Sequence, residues 1–243
     1  MSQRAIKPIE EPPSELIYSD GEPLDSNWHR IQMTFFIDVV RQAMAERGRQ
    51  DFFVGGDMFL YYSFEQARRI ASEGPPKKNR FRGPDVFFVA GVPGQLDRKA
   101  WVVWEEDGRY PNLIVELLSE STARVDRTTK KGLYESVFRT PEYFLYDPET
   151  EELEGFRLYE GSYQHLEPDA RGWLWSRELD LWLGRWQGER NGFDTTWLRL
   201  YDRDGRLIPT PEEAERQRAE AERRRADAAE AEIARLRALL EPQ

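Results

Sequence analysis

The stretch NLIVELLSESTARVDRTTKK, residues 112–131, decides how the rest of the chain is read. Its opening, Asn112 to Ser119, is apolar and rich in branched side chains apart from one acid, Glu116. Such a run suits a central β-strand covered on both faces. Alternation places Glu116 on the same face as Ile114 and Leu118, with Leu113, Val115 and Leu117 opposite. From Ser119 the pattern changes, and residues 124–137 read as a helix with Val125, Leu133, Tyr134 and Val137 apolar. Arg124, Arg127, Lys130 and Lys131 crowd its first turns, where acids are usually preferred. Bases there suit a meeting with phosphate or with strand carboxylates; a solvated basic helix face is the plainer explanation.

Working outward, DVFFVAGV (85–92), AWVVWEE (100–106) and EYFLYDPE (142–149) read as further strands. Trp28, Ile31, Phe35, Val39 and Met44 recur at helical spacing, predicting a helix over about 26–47 with Asp25 or Ser26 as N-cap and Gly48 as its stop. DFFVGGDMFLYYS (51–63) is strand-rich, its double Gly marking a bulge or bend. Beyond about 150, GFRLYEGSYQHLEP, WLWSRELDLWLG and TWLRLYDRDGRLIP read as hairpins, with a turn at Asp204-Gly205. The order of elements implies an α/β fold, a sheet with helices on its faces, followed by a β-rich extension.

Composition bounds the function. The 243 residues are 39% hydrophobic, with 13 Phe, 10 Tyr and 8 Trp, enough for a sizeable core. A net charge of −10 argues against a general polyanion binder but leaves room for a local basic groove. With no Cys, disulfides, thiol nucleophiles and thiolate zinc sites are excluded, and two His, at 29 and 165, leave little for a histidine-rich metal site. No apolar run is long enough for a transmembrane helix and the first residues lack a signal peptide's apolar centre, so a soluble, cytoplasmic protein is expected. Three parts are expected: a Pro-rich leader over 1–24, a globular domain over 25–207 holding every Trp, and a charged Ala/Glu/Arg tail over 208–243.

The chemistry centres on two acids. Gly83-Pro84-Asp85 opens one strand, and Glu116 lies inside another, 31 positions later. A carboxylate among apolar neighbours is costly unless paired or bound to a cation. Two on adjacent strands can share one Mg²⁺, which favours oxygen ligands and keeps several waters. The alternative is that Asp85 caps a turn and Glu116 pairs with an Arg.

GPDVFFV, WEE, PNLIVELLSESTARVD, Lys-Lys-x-Leu-Tyr (130–134) and PEYFLYDP (141–148), in this order and spacing, resemble the Uma-type restriction endonuclease family of the PD-(D/E)XK nuclease superfamily. The leader segment YSDGEPLDSNWHR, the segment WLRLYDRDGRLIPTPEE and the Ala/Glu/Arg tail extend the likeness over most of the chain. The resemblance implies a restriction-endonuclease-like core, a mixed sheet flanked by helices, and hydrolysis of DNA phosphodiesters with Mg²⁺ or Mn²⁺. Asp85 and Glu116 match the motif's acids, and the backbone carbonyl of Leu117 matches a further metal ligand. The motif's lysine should stand where this chain has Leu118; Lys130 best matches a displaced lysine, with Lys131 the neighbouring option. Its implied role is to orient or deprotonate water or to stabilise developing negative charge. On that reading Lys130→Ala removes cleavage and leaves folding and metal affinity nearly unchanged. The rival reading is a catalytically weak or inactive nucleic-acid-binding or interaction protein on the same fold, assembling through its tail.

Secondary candidates surround these. His29 is an accessory site residue or a helix-packing one. Lys77, Lys78, Arg80 and Arg82, with Arg124 and Arg127, are candidate phosphate contacts. Glu105, Glu106 and Asp107 suit a solvated turn, and the Trp side chains of 173–197 suit a core. In the tail, Thr210-Pro211-Glu212-Glu213 has the form of a capping box and predicts a helix over about 211–240. Ala219, Ala226, Ile233 and Leu240, with Ala229 and Leu236, mark a heptad seam. A homodimer or higher homo-oligomer is expected, through the tail, the globular part or both.

Overall fold

The computed structural model describes residues 12–13, 16–18, 26–73 and 83–240, with the side chains of 238–240 left out. A six-stranded mixed sheet runs β1 (Phe52–Gly56), β3 (Val86–Ala90), β5 (Leu113–Leu117), β6 (Glu142–Tyr146), β7 (Leu153–Tyr159), β8 (Ser162–His165). Only β5 and β6 are parallel; the other neighbours are antiparallel. The connection between those two strands is α3, a continuous helix through Ala123–Val125, Asp126–Lys130, Lys131–Leu133 and Tyr134–Phe138. This is the right-sized crossover for a parallel pair.

Strand alternation sorts the core into two layers. Val86, Phe88, Leu113, Val115, Leu117, Phe144 and Tyr146 face α1 (Asn27–Glu46). Phe87, Val89, Ile114, Leu118, Tyr143 and Leu145 face α3 through Tyr134 and Phe138. On α1, Ile31, Phe35, Val39 and Met44 are buried at the spacing the sequence predicts, with Phe36 and Val40 buried beside them. Each contributes about 1.5–3 kcal/mol by leaving water. Ser26 caps that helix by accepting from the His29 amide at 3.1 Å. The other side of α1 is covered by a second sheet, in the order β11 (Phe193–Tyr201), β10 (Leu181–Arg190), β9 (Leu174–Ser176). There Trp197 is fully buried and stacks on Trp28 at 5.8 Å.

Two local expectations are corrected and one element is added. Residues 100–106 do not form a central strand: β4 is only Trp101–Val102, paired with β2 (Leu60–Tyr61), and a 3₁₀ turn Val103–Glu105 follows. The chain turns there because Asp107 and Gly108 both take left-handed φ, 54° and 75°, while Arg98 grips Glu106 at 2.6 Å. Helix α2 (Phe64–Glu73) was not foreseen; Ser63 accepts from the Gln66 amide at its start, and Ala67 and Ile70 are buried. Gly55 and Gly56 are regular members of β1 rather than a bulge. A Cβ on Gly56 would lie 2.1 Å from the Asp85 carbonyl oxygen, so this glycine is needed for close approach. Residues 155–168 form the expected hairpin, β7 with β8, and it continues the main sheet.

The C-terminal helix α4 (Pro211–Leu240) is present. Its capping box is formed in both directions: Thr210 Oγ1 accepts from the Glu213 amide at 3.1 Å, and Glu213 Oε2 accepts from the Thr210 amide at 2.9 Å. Among the described residues, no helix is long and apolar enough to cross a membrane.

Candidate active site

The two acids meet where the ladder between β3 and β5 opens. The last paired residues there are Val86 and Val115. One step further, side chains replace ladder bonds. The Asp85 amide donates to Glu116 Oε2 at 3.1 Å, and Asp85 Oδ2 accepts from the Leu117 amide at 2.7 Å. The alternation that puts Phe87 and Val89 on the α3 side places Asp85 there too, on the same face as Glu116. This clasp holds the Leu117 amide beside both carboxylates; the Leu117 carbonyl, the third expected ligand, belongs to the next peptide of β5.

Helix α3 supplies the cation. Lys130 Nζ lies 3.0 Å from Glu116 Oε2 and 2.8 Å from Asp126 Oδ1. Tyr134 donates to Glu116 Oε1 at 2.6 Å, and Tyr143 OH donates to the Asp126 carbonyl at 3.0 Å, tying helix to sheet. Asp126, Lys130 and Tyr134 are each four residues apart. In an α-helix every such step overshoots a full turn by about 40°. The π-wound segments Asp126–Lys130 and Tyr134–Phe138 have more residues per turn and reduce that drift, so all three side chains stay over the strand acids.

From α1, His29 Nε2 approaches Asp85 Oδ2 to 3.3 Å. Asp57, held at φ 49° after β1, donates its amide to the Asp85 carbonyl at 3.2 Å.

The environment separates the acids' proton affinities. Burial pushes the Glu116 carboxyl well above the ordinary carboxylate range. Lys130 and Tyr134 oppose that push, and the charges of Asp85 and Asp126 add to it. Burial also raises Asp85, but His29, Lys130 and the Leu117 amide outweigh it and hold this group below its ordinary value. Asp126 is raised, chiefly by burial. Burial disfavours the Lys130 ammonium, yet Glu116, Asp126 and Asp85 together hold its pKa above the ordinary lysine value. Burial, then Asp85, raises Asp57.

The other expected residues divide. Lys131 turns away, its Nζ 3.5 Å from the Phe156 ring centroid. Arg127 is engaged by Glu154 at 2.8 Å and Glu152 at 3.8 Å. Arg124 is exposed on α3. Lys77, Lys78, Arg80 and Arg82 lie outside the described residues. The pairing of Lys130 also revises the expectation that its loss leaves folding untouched, because two buried carboxylates depend on it. Sequence reading passed over Asp126 and Tyr134, although their spacing from Lys130 was available; nothing local singles out Asp57.

The donor set suits a hard divalent cation: two crowded carboxylates, with the Asp85 side chain 22% exposed at the surface. Among the described residues no three His, Cys, Asp or Glu side chains are placed to hold one metal ion between them. A cation here would therefore complete its shell with water and substrate oxygens.

A family model described as "Uma2: Putative restriction endonuclease" matches residues 4–190. Among solved structures, the chain is similar to a putative nuclease belonging to DUF820 from Anabaena variabilis ATCC 29413. That likeness has 12% identity and a TM-score of 0.43, and covers 67% of this chain and 81% of the other. No curated protein matches.

Proposed function

This chain belongs to the Uma2 family of restriction-endonuclease-like proteins, and from that premise we propose that it is a metal-dependent endonuclease cutting DNA phosphodiesters. The observation that carries the proposal is the clasp of Asp85 and Glu116 at the open end of the ladder, with Lys130 delivered to it from α3. Mg²⁺ or Mn²⁺ held by Asp85, Glu116 and the Leu117 carbonyl would supply the Lewis acidity that makes water a nucleophile near neutral pH.

The chain's own groups do the rest. Asp85, kept ionised by His29 and the Leu117 amide, and Glu116, oriented by Tyr134, fix where the scissile phosphate enters. The Lys130 ammonium faces the same spot and stabilises negative charge as water attacks phosphorus and the P–O bond to the leaving sugar oxygen breaks. The attacking water releases its proton to solvent, and the leaving oxygen takes one from solvent. Asp126 holds the ammonium in place from below.

The test is incubation of purified protein with supercoiled and linear DNA in Mg²⁺, Mn²⁺ or EDTA. Nicking that needs a divalent cation and disappears in Asp85→Asn supports the proposal. Intact DNA in every cation overturns it and leaves a nucleic-acid-binding protein on this fold, the reading that Leu118 in place of the motif lysine favours.

A further inference from the structure

Among the described residues, helix α4 is anchored only by its first turn. Glu213 pairs with the buried Arg199 at 2.8 Å, Glu212 pairs with Arg190 at 3.1 Å, and Ala214 is buried. From Glu215 to Arg237 every residue is exposed. Helices in proteins draw most of their stability from packing an apolar face, and this stretch packs against nothing among the described residues. Nor do its charges satisfy one another: among the described residues its only ion pair joins Arg235 to Glu232 at 3.7 Å. Ile233 and Leu236, the two large apolar side chains described on it, are 49% and 48% exposed.

We propose that this face is covered by the same helix of a second copy, in a parallel, in-register, two-stranded coiled coil over residues 225–240. Three features of the sequence laid on the helix select that occupant. Ala226, Ile233 and Leu240 take a positions and Ala229 and Leu236 take d positions. Ile at a with Leu at d is the combination that favours parallel dimers. The flanking g and e positions are Arg225 and Glu232, and Glu230 and Arg237. In a parallel pair each g residue meets the e residue five positions further along the other helix. Arg225 of one copy then meets Glu230 of the other, and Glu232 meets Arg237, both attractive and both occurring twice by symmetry.

Reversing one helix loses this. With Ile233 opposite Ala229, Glu230 faces Glu230, Glu232 faces Glu232, and Arg223 faces Arg237. With Ile233 opposite Leu236, only the Glu230–Arg237 attraction survives. The coil stops short of Ala219 because Glu222 sits at the preceding d position and Arg218 would face Arg223, both repulsive. A parallel pair carries both globular bodies at the same end of the coil, an arrangement independent of the nuclease reading.

The experiment uses the full chain. Light scattering should give a mass approaching twice 28.6 kDa at high concentration and falling toward it on dilution. Ile233→Glu with Leu236→Glu should leave a monomer. Glu230→Arg alone should weaken the dimer, and adding Arg225→Glu should restore it. Residues five apart do not face each other on one helix, so this rescue can come only from the second copy. Orientation is read from Ala229→Cys in a chain with no other cysteine: mild oxidation should yield a disulfide dimer, because a d residue meets its own counterpart only in a parallel register. A monomer at every concentration, a dimer indifferent to the Ile233/Leu236 change, no rescue by the double reversal, or no disulfide each overturns the proposal.

Discussion

Replacing Lys130 by Met removes the ammonium while its aliphatic stem still fills the same space, so the consequence is electrostatic. Nζ lies 3.0 Å from Glu116 Oε2 and 2.8 Å from Asp126 Oδ1, and those side chains are 0% and 1% exposed. Deleting one partner of a buried pair costs about 3–5 kcal/mol. Proton uptake limits the loss, since each pH unit above a carboxyl's pKa costs about 1.36 kcal/mol to reverse. Glu116 and Asp126 are already raised above their ordinary values, chiefly by burial, and rise further without the ammonium. An acid whose folded pKa is raised contributes stability that is fully present below its unfolded value and is lost as pH rises through the folded one. The variant should therefore be closest to the parent near pH 5 and fall behind by about 3 kcal/mol near pH 8. With a urea m-value of about 1–3 kcal/mol/M, that is a midpoint shift of about 1–3 M. Cleavage should drop about 10²–10⁴-fold if the ammonium stabilises charge at phosphorus. Equal urea midpoints at pH 8, or cutting at the parent's rate, would refute the reasoning.

Three further outcomes are expected. Mg²⁺ should raise the melting temperature of the parent, and Glu116→Gln and Asp85→Asn should each remove both that rise and cleavage; a variant that keeps the full rise does not lack a ligand. Lys131→Ala should cut like the parent and cost no more than about 0.5–1 kcal/mol, the worth of its contact with Phe156, so strong loss of cleavage would return Lys131 to the site. Burial opposes the low pKa of Glu213, but Arg199 and the Thr210 amide prevail and hold it below 4.5. Its stabilisation is thus present above the unfolded pKa and lost as pH falls through the folded one. Glu213→Gln should destabilise the protein at neutral pH by about 0.5–2 kcal/mol and flatten the acid limb of a stability–pH curve. An unchanged acid limb would dismiss the pair as a contributor.

The elements that local periodicity can specify were legible in the sequence. Helix α1, strands β3, β5 and β6, and the capping box of α4 rest on side-chain alternation, helical spacing or a cap within a few residues, and each needs only its neighbours in the chain. The same alternation put Glu116 on the face of Ile114 and Leu118; that Asp85 lies beside it followed from the pairing of β3 with β5. The failures share a cause. AWVVWEE has a strand's composition, but its course is set by a left-handed turn and by Arg98 gripping Glu106, both matters of folded context. The choice of Lys130 over Lys131 was made by resemblance; the contacts follow from the docking angle of α3, which π winding and the Tyr143–Asp126 bond fix against the sheet. His29, Asp57, Asp85, Glu116 and Tyr134 are scattered over more than a hundred positions, so no sequence window contains them together. Composition and period dictated which segments are strands and helices and which faces are apolar. Only tertiary structure decided which charged groups share one desolvated corner, because that depends on layers packing across the sheet and not on any residue's neighbours along the chain.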